Sequence, residues 1–168
     1  MIRSFNGITP QVHPTAFVSE AAYVIGSVVI GEHSSVWPGA VIRGDFGRII
    51  IGKNTHIEDN CVLHTGNEML VGNNVIVGHG AILHCRKIGN NCLIGIDATL
   101  LEESEIADDC LIAAGALVTP GTRIPVMSLV MGSPAEVRAK LTKDKIEVMR
   151  AGADIYKATA QHYKREGY

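Results

Sequence analysis

A branched aliphatic residue returns at every sixth position along most of this chain, and few folds accept so short and strict a period. The series runs Val12, Val18, Val24, Ile30, Val36 and Ile42, then Ile51, Ile57 and Leu63, then Val71, Val77 and Leu83. It closes with Ile88, Ile94, Leu100, Ile106, Ile112, Val118, Ile124 and Val130. Glycine often follows the aliphatic residue, as at Gly31, Gly52, Gly72 and Gly89, and the fifth position is mostly small or β-branched. A fixed short period of this kind is the signature of a parallel β-helix. One hexad makes one short strand and a turn, and three hexads close a triangular coil. The aliphatic side chain points into the prism, and the small residues allow the tight corners. No coil buries its inner face alone, so stability comes from stacking neighbours. Twenty hexad starts predict between six and seven coils.

After Gly132-Ser-Pro-Ala135 the period changes to that of a helix. Pro134 suits a first helical turn and Thr142 a cap. Ile146, Met149, Ala153, Tyr156, Ala160 and Tyr163 recur every three or four residues, which predicts one apolar stripe packed along the side of the prism and over its open end. The expected architecture is an all-β solenoid over about residues 12–133 with a helical segment over 134–168, in a single domain 1–168.

Composition narrows the function classes. Hydrophobic residues make up 46% of the chain but aromatics only 5%, so the core is built of small aliphatic side chains. A net charge of -2 with no basic block argues against nucleic acid and anionic membranes as partners. Residues Met1 to Gly7 carry no apolar signal core, and no run approaches the roughly 18 apolar residues of a membrane span, so the expectation is a cytoplasmic protein. Cys61, Cys85, Cys92 and Cys110 show no paired spacing and read as buried small apolar residues.

The hexad clock slips three times. Ile42 to Ile51 takes nine residues, Leu63 to Val71 eight, and Leu83 to Ile88 five. If each slip is a change of loop at a corner, Ile42, Leu63 and Leu83 start strands on one face of three successive coils. Arg43, His64 and His84 then form a column. Adjacent strands lie about 4.8 Å apart, so the two imidazoles can reach one metal ion. His79 falls on the preceding face, so a neighbouring subunit would have to bring it to the pair. Three-sided prisms present flat faces suited to a threefold axis, and three histidines shared across it would leave a coordination position for water. Asp45 alternates onto the same side as Arg43. Glu58 and Asp59 precede His64 by one hexad and could orient the arginine or a metal-bound hydroxide.

In these residues the chain resembles the γ-class carbonic anhydrases and their left-handed β-helix relatives. The resemblance rests on Arg43-Gly-Asp45, on Ile57-Glu-Asp-Asn-Cys-Val-Leu-His64, and on His79 with His84 five residues later. It implies a left-handed coil and a homotrimer with zinc (iron or cobalt as substitutes) at each interface, held by His64 and His84 of one chain and His79 of the next. It further implies hydration of CO2 to bicarbonate, with Arg43, Asp45, Glu58 and Asp59 around the metal. The chain departs from that pattern at Phe46, where an acid is expected, at Glu58 in place of glutamine, and at Ala158 in place of asparagine. The acidic loop after the first histidine shrinks to Thr65-Gly-Asn-Glu-Met69. The same scaffold also admits a hexapeptide-repeat acyltransferase with a histidine base facing a cleft, a metal-dependent thioesterase or esterase, and a non-catalytic metal-binding assembly protein.

Overall fold

A computed structural model describes residues 1–168. Its strands form three parallel stacks, one for each face of a prism. The first face aligns Val24, Ile42, Leu63, Leu83, Leu100 and Val118 in register. The second aligns Val12, Ile30, Ile51, Val71, Ile88, Ile106 and Ile124. The third aligns Val18, Val36, Ile57, Val77, Ile94, Ile112 and Val130. Every hexad start therefore points inward. All three columns belong to one cluster of 32 buried residues with Val12 and Val18 packed at its end, and most members are wholly shielded from solvent. The four cysteines are free and buried, as the composition predicts.

Corners need unusual backbone, and one column supplies it where the chain passes from the second face to the third. Asn54, Asn74, Asn91 and Asp109 all hold positive φ. That region disfavours most residues, though asparagine and aspartate tolerate it. Their side chains form a ladder, with Asn54 donating to Asn74 (3.1 Å), Asn74 to Asn91 (3.1 Å) and Asn91 to Asp109 (2.9 Å). At another corner Gly47 is obligatory, since a Cβ there would meet the Asn67 carbonyl oxygen at 1.7 Å.

The C-terminal segment differs from the helical reading of 134–168. Residues Ala135–Lys140 form a strand that pairs antiparallel with Ser128–Gly132. This strand, and not the helix, covers the open edge of the third face, where unpaired N–H and C=O groups would otherwise stand exposed. The helix runs from Lys143 to Glu166, with Thr142 as its cap accepting from the Lys145 N–H. At 1.5 Å per residue its 24 residues extend about 36 Å, close to the height of the stack, so it lies along the third face from the last coil to the first. Ile146 and Met149 pack with Leu93 and Leu111, and Ala160 packs with Phe17 and Trp37. Replacing Thr142 by alanine is expected to lower stability by about 1 kcal/mol, read as a shift in the urea midpoint. An unchanged midpoint would mean that docking alone fixes this end. No helix is long and apolar enough to cross a membrane.

Candidate active site at a corner of the prism

The three slips fall at one corner, where the chain leaves the first face for the second. Arg43 pairs in register with His64, and Leu63 with Leu83, so Arg43, His64 and His84 form the column that the spacing predicts. The His64 and His84 rings lie 5.3 Å apart between centroids. Asp45 curls back onto this column. It accepts from the Arg43 guanidinium at 2.5 Å and lies 3.1 Å from His64 Nε2. Burial alone would raise the Asp45 carboxyl. The hydrogen bond and charge of Arg43, an N–H of its own backbone and His64 outweigh burial and hold it below the usual carboxylate range. For His64, burial and then the Arg43 charge push the imidazole below its ordinary value, against the pull of Asp45. A neutral His64 with its Nε2–H directed to Asp45 follows. Phe46 stands edge-on to the same ring at 5.8 Å.

Loop lengths shape the space beside His84. The corner of the His64 coil carries two residues more than a hexad, and that of the His84 coil one fewer. The longer loop overhangs, and the shorter one recedes beneath it. The side chains record this directly: Asn67 Nδ2 donates to Glu103 Oε1 at 3.3 Å, bridging two coils across the one between. The recess is a cavity of about 220 Å³ lined by His84, Arg86, Glu102 and Glu103 among others. It adjoins a larger one of about 510 Å³ that contains Glu68, Lys87 and Glu105. His84 Nδ1 is buried and has no hydrogen-bond partner, although Glu102 Oε1 lies 3.3 Å away, off the bonding direction. Glu102, Glu103 and Arg86 were not singled out by the sequence reading. The only signal for them was the short hexad following a long one.

The remaining expected residues form a second cluster at the corner between the third and first faces. His79 Nδ1 lies 3.1 Å from Asp59 and its Nε2 3.0 Å from Glu58. Glu58 is nearly inaccessible and also accepts from the His79 backbone N–H at 3.1 Å. Tyr156 of the helix faces this carboxylate. Burial, then interaction with Glu58, raises its phenol well above the ordinary range. His79, Glu58 and Asp59 are thus brought to one another and not, within the chain, to His64 and His84.

Known proteins decide the family. The model for "Bacterial transferase hexapeptide (six repeats)" matches residues 87–120. The carnitine operon protein CaiE of Escherichia coli (strain K12) is 36% identical over 155 residues, covering 91% of this chain and 79% of CaiE. A hexapeptide transferase family protein from Anaplasma phagocytophilum superposes with a TM-score of 0.93 at 35% identity, over 96% of this chain and 97% of the other. The chain belongs to the hexapeptide-repeat transferases. A Bacillus cereus protein named as an acetyltransferase is also similar, with a TM-score of 0.82 at 33% identity, over 98% and 96% of the two chains. Membership gives the solenoid of about seven turns its left hand.

These relatives correct the carbonic anhydrase reading. The proteins that this hexapeptide-repeat transferase matches are CaiE and acetyltransferase-type proteins, so CO2 hydration and a lyase class do not stand, and nothing in these relatives supports zinc. Within one chain no group of three or more His, Cys, Asp or Glu side chains is placed to hold a metal ion, so the expected set of His64, His84 and His79 would need a second copy to supply His79. His64 and His84 are the two that one chain brings together, and His79 lies between Glu58 and Asp59 at its own corner.

Proposed function

We propose that this protein is an acyltransferase that moves an acyl group from a coenzyme A thioester to a small nucleophile, with His84 as general base. The observation that carries the reading is that His84 is the histidine facing a cleft, with a buried Nδ1 free of any partner. A base must lie within hydrogen-bond reach of the proton it removes, and His84 alone of the three site histidines lines the cavity. His64, fixed by Asp45 and Arg43, forms the wall behind it. Similarity to hexapeptide transferases at 33% to 35% identity over nearly the whole chain supports the class.

The working form is proposed to be a homotrimer, the typical assembly of hexapeptide-repeat proteins. The first face favours it. Val62 and Ile82 stand exposed in the column beside His64 and His84, and no acid or lysine lies among them. Both functional corners border this face. Packing it around a threefold axis would carry the corner with His79, Glu58 and Asp59 of one copy toward the His84 corner of the next.

The test is calorimetric titration with coenzyme A, followed by thiol release from acetyl-CoA in the presence of amine and alcohol acceptors. The expected result is saturable binding and acceptor-dependent release by a species of three times the 18.0 kDa chain mass. Absence of coenzyme A binding, or thiol release that ignores the acceptor, would overturn the reading; the second outcome would indicate a hydrolase.

A further inference from the structure

The Lys143–Glu166 helix has two apolar faces, and the prism covers only one. Ile146, Met149, Ala153 and Ala160 are buried. On the opposite side Asp144, Val148, Ala151, Ile155, Ala158 and His162 all stand exposed. Their spacing alternates between four and three residues, which is that of the a and d positions of a coiled coil. Val148 is 72% exposed and Ile155 67%, one heptad apart on a single face. Apolar residues scattered over a surface need no partner, whereas four in one seam fit a second helix. The seam's own sequence selects that helix. Its large residues alternate with small ones, Val148 with Ala151 and Ile155 with Ala158. An antiparallel copy that crosses at the level of Ala153 sets Val148 against the partner's Ala158 and Ile155 against the partner's Ala151. Each branched side chain then enters the space beside a methyl group. The same register brings Asp144, in the first turn, to the partner's His162, and Arg165 in the last turn adds positive charge at that end. A parallel pair would set Val148 on Val148, Ala151 on Ala151 and Asp144 on Asp144, which packs unevenly and repels. The acids flanking the seam are already engaged, Glu147 by Arg150 and Asp154 by Asn54.

We infer that the outer face of the Lys143–Glu166 helix is a self-association surface, on which a second copy of this chain docks its own helix antiparallel about a twofold axis. The contact is isologous, so each pair of residues meets twice. It uses no residue of the first face or of the two functional corners. A trimer built on the first face would therefore be joined by it to a second trimer. Few side chains take part, against the roughly 800 Å² per partner of a standard interface, so the pairing is reversible and rises with concentration.

Sedimentation velocity over a concentration series tests this. The wild-type mass should rise to at least twice that of Ile155→Glu protein, in which a charge stands where the partner's methyl group should pack. Both should unfold at the same temperature, since Ile155 is exposed. Asp144→Lys and His162→Glu should each weaken the association about tenfold, and the two changes together should restore it. Orientation is read by oxidising a mixture of Val148→Cys and Ala158→Cys proteins, which should cross-link to each other in preference to themselves. The four native cysteines are buried and do not compete. A wild-type mass equal to that of Ile155→Glu up to about 1 mM would overturn the inference and leave the face to a different partner. A double swap no better than either single change, or Val148→Cys joining chiefly to itself, would overturn it as well.

Discussion

Replacing His84 by alanine should lower the rate of thiol release by roughly 10²- to 10⁴-fold, the usual contribution of a positioned acid or base. Affinity for coenzyme A should change little. The side chain is partly exposed at a corner and points away from the core columns, so its removal leaves the stack intact. An unchanged thermal transition is the control. Removing His64 should have a smaller effect, because it takes away the wall behind the base and leaves the base in the recess. Asp45→Asn should resemble it: the Arg43 charge would remain beside His64 without its counter-ion. If His84→Ala retained more than a tenth of wild-type activity while His64→Ala lost it, the base would be His64 and the recess would have another purpose.

Acidification should destabilise the protein through His56. This ring is wholly buried, with Nδ1 2.8 Å from Ser35 Oγ, Nε2 3.1 Å from Asn54 Oδ1, and one face stacked on Tyr156. Burial dominates and lowers its pKa from 6.5 to about 4, with the Ala153 backbone and Asp154 pulling weakly upward. The unfolded chain therefore takes up this proton before the folded one does. The stabilisation is complete above pH 6.5 and is lost as pH falls from 6.5 toward 4. Linkage puts the loss at about 1 kcal/mol by pH 5.5 and about 3 kcal/mol by pH 4. His56→Gln keeps one amide in place of the ring and removes the titration. Urea unfolding at pH 7.5 and 5.5, above the range where most carboxylates protonate, should give the variant the flatter dependence. Equal slopes would show that His56 protonates as readily in the fold as in the unfolded chain.

The prism was legible because one residue class repeats at one spacing, and Ile57, Leu83 and Ile106 stand where the count places them. Face counting survived the slips since all three occur at one corner, which leaves the columns in phase. The strand Ala135–Lys140 was not legible. Its sequence lacks alternating burial, and it exists because an open edge needs a partner, which is a property of the stack rather than of the segment. The histidines were found, and the activity first attached to them, CO2 hydration, is what the relatives overturn. A column of two histidines plus a third nearby looks alike whether the ring nitrogens bind an ion or take a proton. The difference lies in neighbours drawn from distant coils. Glu58 and Asp59 occupy His79, and Glu102 and Glu103 convert the surroundings of His84 into an acidic recess. None of these pairings has a fixed spacing, so no period reveals them.

Insertions and deletions at one corner leave every inward column in register, and this separates two things that most enzymes entangle. The recess is deep because one loop is long and the next is short, while the aliphatic stack beneath does not register either change. Lengthening the Cys85–Lys87 turn by a residue would fill the notch without touching Leu83 or Ile88. Shortening the Thr65–Asn67 loop would remove its roof. The outline of the pocket is therefore cut into the rim of the solenoid much as teeth are cut into a key blank, and new outlines can be tried while the blank keeps its strength.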